Sequence, residues 1–290
     1  MTSRHPHAAA APARRVLVLS GGGSRGALDV GFTQALWDAG ASFDLIIGSS
    51  VGALNGAFLA SGRTPDQLAE VWRPLRFRDL FRMNWLELLA RGMSARSIYR
   101  LGRRLGRLFA KLPARFEDLA LPFVAVATDL ATGTPVAFDR GELLPALLAS
   151  AAIPGMWPPV MHDGRFLVDG SLSAHLPLEE AVRRGATEIW GIRSSCTASP
   201  RRRFDRLPAI LEQVFGFAVD RTVRAEAAAA GTRAHVLACP VEADISSLDF
   251  SQTDQLISLG YDSTRTWLIE QGLKPGIAET GSLGVSGLTR

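Results

Sequence analysis

Twice within the first sixty residues, a short run of β-branched residues and leucine meets a break of glycine and serine and gives way to residues at helical spacing. Residues 15–20 lead into Ser20-Gly21-Gly22-Gly23-Ser24-Arg25-Gly26, after which Ala27, Val30, Gly31, Gln34 and Ala35 recur at the helical period through 26–40. Residues 43–47 lead into Gly48-Ser49-Ser50-Val51-Gly52, and 53–60 reads as the next helix. Parallel strands cannot be joined by a tight turn and need a crossover, so two successive strand–turn–helix units predict a parallel sheet. Further strand candidates lie at 123–128, 135–138, 165–168, 188–193 and 234–239, with helical stretches between several of them. The simplest assembly is α/β: a three-layer α/β/α sandwich with a mainly parallel central sheet. Residues 251–270 read as the last helix, with Ser251 three residues before Asp254 in the capping-box pattern.

The chain has 290 residues, 47% of them hydrophobic, enough for a sizeable core and too apolar for disorder as its default state. The longest uncharged stretches are interrupted: 45–62 carries four glycines, and 143–161 contains Pro145, Pro154, Pro158 and Pro159. Neither reads as a membrane span, and the apolar run after Arg15 is too short for a signal-peptide core. The expectation is a cytoplasmic protein: a disordered tail 1–14, one domain over 15–274 with a basic helical insert at 73–111, and a flexible tail 275–290. Cys196 and Cys239 lack Cys-x-x-Cys spacing and are read as reduced and structural.

Charge is distributed unevenly. Residues 73–111 hold eleven cations against two anions, Asp79 and Glu87, in a chain whose formal net charge is only +4. The cations alternate with Phe77, Leu80, Phe81, Trp85, Leu88 and Leu89, the composition of a basic amphipathic helix. Two readings stand side by side: a lid or peripheral docking element for anionic membrane, and a solvated helical face packed on the core by its apolar stripe. No nucleic-acid motif accompanies the charge, and nucleic-acid binding is not expected. The sequence carries no signal for oligomeric state.

Glycine-serine breaks of this kind carry chemistry. In Gly48-Ser49-Ser50-Val51-Gly52 the G-x-S-x-G pattern stands where it is informative, between a strand and a helix. A serine on so sharp a turn projects from the sheet, and the helix that follows aims its positive end at the charge that develops in acyl transfer. Ser50 is therefore a nucleophile candidate, set against an incidental serine in a glycine-rich turn. The loop Gly21–Gly23 can turn successive amide groups into one anion-binding concavity. Gly21, Gly23 and Gly26 also satisfy G-x-G-x-x-G, which keeps a dinucleotide-binding enzyme open as an alternative; however, the second strand ends in Gly48 rather than in the acidic residue such sites use. Walker-type nucleotide binding needs Gly-Lys-Ser/Thr, and the loop has Arg25-Gly26.

For a base, the late histidine His235 sits in an apolar strand-like run and reads as an ordinary strand histidine. Asp169-Gly170-Ser171 follows the apolar run 166–168 and places a carboxylate at a strand end, against the alternative of an Asx turn or cap.

Three segments together resemble the bacterial patatin-like phospholipases: Gly21-Gly22-Gly23-Ser24-Arg25-Gly26, the Gly48 to Gly52 elbow, and Asp169-Gly170-Ser171. Ser150-Ala151-Ala152-Ile153-Pro154-Gly155-Met156-Trp157-Pro158-Pro159 is similar to a family segment S-x-A-x-P-x-x-F-P-P, with Trp157 as its aromatic, and Phe250-Ser251-Gln252-Thr253-Asp254 is similar to bacterial members. Ser171 and His175 depart from the pattern, which has Gly or Ala and Asn there. The resemblance implies the patatin-like fold and hydrolysis of lipid acyl esters through a Ser50–Asp169 dyad. It implies the Gly22 and Gly23 amides, with Arg25 nearby, as oxyanion-binding groups, and neither metal nor cofactor. Whether His175 stands near the site without being catalytic is left open by these departures. A catalytically silent lipid-binding module is the competing reading within the same fold.

Overall fold

A computed structural model describes residues 14–84, 86, 89–90, 97–195, 207–241 and 245–272. Most of the residues expected to form tails, 1–13 and 275–290, lie outside these, as do Cys196 and Trp85. In chain order the strands are β1 (Arg15–Leu19), β2 (Leu45–Ser49), β3 (Phe81–Met83), β4 (Tyr99–Leu101), β5 (Phe123–Asp129), β6 (Pro135–Phe138), β7 (Val160–His162), β8 (Arg165–Asp169), β9 (Glu188–Ser195) and β10 (Ala234–Pro240). The helices are α1 (Ala27–Asp38), α2 (Val51–Ala60), α3 (Pro65–Trp72), α4 (Phe77–Leu80), α5 (Arg103–Phe109), α6 (Leu143–Ser150), α7 (Leu178–Arg183), α8 (Leu207–Ala230) and α9 (Thr253–Glu270).

The main sheet runs β10-β9-β1-β2-β5-β8-β7, with β6 also paired to β5. Neighbours from β10 to β5 are parallel, whereas β6 and β8 run antiparallel to β5, and β7 antiparallel to β8. β1 and β2 are buried on both faces, which is why they read as unbroken apolar runs rather than as alternating ones. Alternation nevertheless divides them. Leu17 and Leu19 enter one core with Leu28, Phe32, Ala57 and Leu256, while Val16 and Val18 enter another with Leu176, Leu178 and Val223. One core on each sheet face gives the three layers. Among the described residues, no helix is long and apolar enough to cross a membrane.

The expected strands are all present, but β7 follows Pro158-Pro159 and is too short to stand out in the sequence. The expected capping box on the last helix does not form: Gln252 is its N-cap without a side-chain bond, the Ser251 amide donates to Asp249, and Asp254 pairs with Arg73 at 3.0 Å. The insert differs from the purely helical expectation. α4 and α5 flank an antiparallel pair, β3 and β4, whose alternation in Phe81-Arg82-Met83 is too brief to register as a period. β4 is held where Ile98 and Tyr99 donate to the Gly155 and Met156 carbonyls, both at 2.9 Å, and Phe81 packs on Trp157 with centroids 5.1 Å apart.

Candidate active site

The turn from β2 into α2 explains its own glycines. A Cβ on Gly48 would lie 2.3 Å from the Gly52 carbonyl oxygen, and one on Gly52 would lie 2.4 Å from that of Leu19. Only glycines let the elbow fold against itself and against the end of β1. Ser50, at the N-cap of α2, has φ 54° and ψ −125°, a backbone state that a non-glycine residue holds only when its surroundings impose it. Its amide donates to Ser150 Oγ at 2.9 Å, and Ser150 Oγ in turn donates to the Val126 carbonyl at 2.6 Å. This brace was not read from the sequence as a role, although Ser150 opens a segment singled out there.

Asp169 ends β8, beside Ala127 of β5. A Cβ on Gly170 would lie 2.0 Å from the Val126 carbonyl oxygen, so the Asp-Gly pair lets β8 turn directly under the elbow. Ser50 Oγ donates to Asp169 Oδ2 at 2.6 Å, and the Ser171 amide donates to Oδ1 at 2.8 Å. Both residues are buried. Burial raises the Asp169 pKa above the ordinary aspartate value, while the bonds from Ser50 and Ser171 oppose that rise. The carboxylate is thus a stronger base than an exposed one, and it accepts the hydrogen bond of the Ser50 hydroxyl.

The glycine loop lies at the end of β1. Gly22 and Gly23 have φ of 144° and 61°, and a Cβ on Gly23 would lie 2.1 Å from the Ser247 carbonyl oxygen. The loop is tied at both ends: the Gly21 amide donates to the His175 carbonyl at 3.0 Å, and that of Ser24 to Ser247 at 2.7 Å. Among the described residues, nothing accepts from the Gly22 or Gly23 amide. Arg25 sends its guanidinium to the Ile245 carbonyl at 2.8 Å, which braces the loop against 245–247. His175 is buried beneath Gly21, and burial, helped by Arg193 and Arg25, lowers its pKa to about 4, so it is neutral at physiological pH. His235 is not brought to the site; it lies on β10, three strands away from β2 in the sheet, with its ring 4.6 Å from Trp190. Among the described residues, no cluster of three or more His, Cys, Asp or Glu could hold a metal ion.

An apolar pocket of about 690 Å³, its open mouth included, begins at Ser50 and Gly23. Leu54 and Phe58 of α2, Leu68 and Trp72 of α3, and Phe250 line it, and the insert contributes Leu80, Phe81 and Leu108. The apolar side of the insert therefore forms pocket wall, a role that its composition alone left open.

Comparison with known proteins places the chain in a family. The family model for patatin-like phospholipases matches residues 17–182, more than half of the chain and both ends of the Ser50–Asp169 contact. The chain belongs to the patatin-like phospholipase family. An NTE family protein of Mycobacterium tuberculosis is 40% identical over 166 residues, 57% of this chain and 44% of that protein. Human patatin-like phospholipase domain-containing protein 6 is 32% identical over 181 residues, 61% of this chain and 13% of that one. The chain thus spans less than half the length of these curated relatives. VipD from Legionella pneumophila shares the fold, with a TM-score of 0.52 at 14% identity over 90% of this chain and 67% of that one.

Proposed function

We propose that this chain is a serine lipid acyl hydrolase that cleaves acyl esters through an acyl-Ser50 intermediate. The observation that carries the reading is the buried 2.6 Å bond from Ser50 to Asp169 at the head of an apolar pocket. As Ser50 Oγ attacks the acyl carbon, its proton passes to Asp169, and the negative charge on the acyl oxygen is met by the Gly22 and Gly23 amides. The alcohol leaves with the proton from Asp169. Asp169 then takes a proton from water, whose oxygen attacks the acyl-enzyme, releasing the fatty acid and restoring Ser50. Arg25 acts here by holding the loop in place, and each oxyanion donor contributes roughly 3 kcal/mol to the barrier. Membrane contact through exposed cations of 73–111 such as Arg78, Arg82 and Arg107 brings the pocket to its lipid.

The test is fluorophosphonate labelling together with p-nitrophenyl ester hydrolysis. Ser50→Ala should lose the label and reduce kcat/KM by roughly three orders of magnitude or more while keeping its melting temperature near that of the wild type. Asp169→Asn should lose turnover similarly. In the wild type, kcat/KM should fall on acidification as Asp169 takes up the proton that disables it as a base. A folded Ser50→Ala protein that retains activity would refute the mechanism, and a folded wild type that neither labels nor hydrolyses would favour a silent lipid-binding module.

A further inference from the structure

The pocket follows one face of α2, and that face ends. Ser50, Leu54 and Phe58 stand at intervals of four residues along the same wall. A helix rises about 1.5 Å per residue, so Phe58 lies about 12 Å along the axis from Ser50. Phe58 is buried, and the Arg63 guanidinium lies over its ring, 5.0 Å from the centroid. That guanidinium is fixed by the Ser61 hydroxyl at 3.0 Å and by the Lys111 carbonyl at 2.9 Å. Of the α2 residues that line the pocket, Phe58 is the one furthest from Ser50, and its ring is backed by this tethered cation, which a longer alkyl chain pushing past the ring would displace from its bonds.

We infer that the pocket selects medium-chain acyl esters and that Phe58 is the residue that stops the chain, at about eight to ten carbons, because an extended alkyl chain advances about 1.25 Å per carbon, the projection of a ~1.5 Å C–C bond. The inference rests on Ser50 being the acyl-accepting nucleophile. Leu54, one turn from Ser50, lies alongside the middle of the chain, where added bulk shortens the usable depth.

The experiment compares kcat/KM of the full chain for p-nitrophenyl butyrate, octanoate, decanoate and palmitate in one neutral-detergent dispersion. Wild type, Phe58→Ala and Leu54→Phe are read as ratios within each variant, so partial loss of folded protein cancels. Wild type should be best on octanoate or decanoate and about tenfold poorer on palmitate. Phe58→Ala should raise the palmitate-to-octanoate ratio at least about fivefold, and Leu54→Phe should lower the decanoate-to-butyrate ratio by a similar factor. Turnover with the same profile in all three proteins would overturn the length limit alone. A folded wild type that cleaves none of the esters would overturn the acyl-Ser50 reading and the limit with it.

Discussion

Gly21 shows how closely the site is built. A Cβ there would lie 2.0 Å from Ser171 Oγ and 3.2 Å from His175 Nδ1, so the two departures from the family pattern meet on a single glycine. The Ser171 amide also donates to the Asp169 carboxylate, which caps the turn that follows, and so ties the carboxylate and the glycine loop to one residue. Gly21→Ala should therefore cost about 1–3 kcal/mol of stability by overpacking and lower kcat/KM by displacing the Gly22 and Gly23 amides. Adding Ser171→Gly should restore part of both, because the nearest colliding atoms are removed. Thermal melts and ester kinetics on the single and double variants measure this, and independent effects in the double variant would refute the contact. Ser50 and Asp169 could be named as candidates because each stands beside glycine at the end of an apolar run, although an incidental serine or an Asx turn or cap has the same local pattern. Ser150 was not, since its brace on the Ser50 amide depends on α6 ending beside the elbow.

The insert is the element whose role composition left most open. Its inner side supplies Leu80, Phe81 and Leu108 to the pocket, while Arg78, Arg82 and Arg107 are exposed, as are Leu86 and Leu89 at 74% and 82%. Packing face and charged face are two sides of one element, so the two readings of the segment are compatible. Binding to vesicles rich in anionic phospholipid should weaken as salt rises from about 50 to 200 mM, over which the screening length shortens markedly. At about 1 kcal/mol per cation near such a surface, Arg78→Glu with Arg82→Glu should reduce affinity by tenfold or more while hydrolysis of a soluble short ester continues. Flotation across a salt series measures it, and salt-independent binding would count against electrostatic docking. The hairpin itself was hidden because two three-residue strands carry too little alternation to separate them from short helices.

Across the molecule, the two cores are closed by helices that approach the sheet and one another at close range. α1 and α9 meet at glycines: a Cβ on Gly31 would lie 1.9 Å from the Ile257 carbonyl oxygen, and one on Gly260 would lie 2.4 Å from that of Leu28. On the other face, Glu226 of α8 is buried against α7, where the Leu178 amide reaches its carboxylate at 3.4 Å. Burial raises its pKa from 4.5 to about 8, a rise the Leu178 bond opposes and the nearby Glu179 charge adds to. Below pH 4.5 the group is protonated in both states and has no effect. Between 4.5 and 8 the unfolded chain ionises while the folded one does not, so stability falls as pH rises. Glu226→Gln should remove that slope and leave the protein more stable than wild type at pH 8–9, by at most about 5 kcal/mol. Denaturant melts across this range test it, and an unchanged slope would refute it.

The sequence by itself determined the α/β class, the strands of the parallel core and the two turns that carry Ser50 and Asp169. Those features are local: period, apolar run and glycine placement are properties of neighbouring residues. Only the tertiary structure decided that Ser50 reaches Asp169, that His175 sits neutral beneath the glycine loop, that Ser150 braces the elbow, and that the insert's apolar side walls the pocket. Each of these depends on the order in which strands lie side by side and on which helix packs where. Burial and its effect on a charge arise from that arrangement, because the groups that exclude water from Asp169 come from segments far from it in the chain.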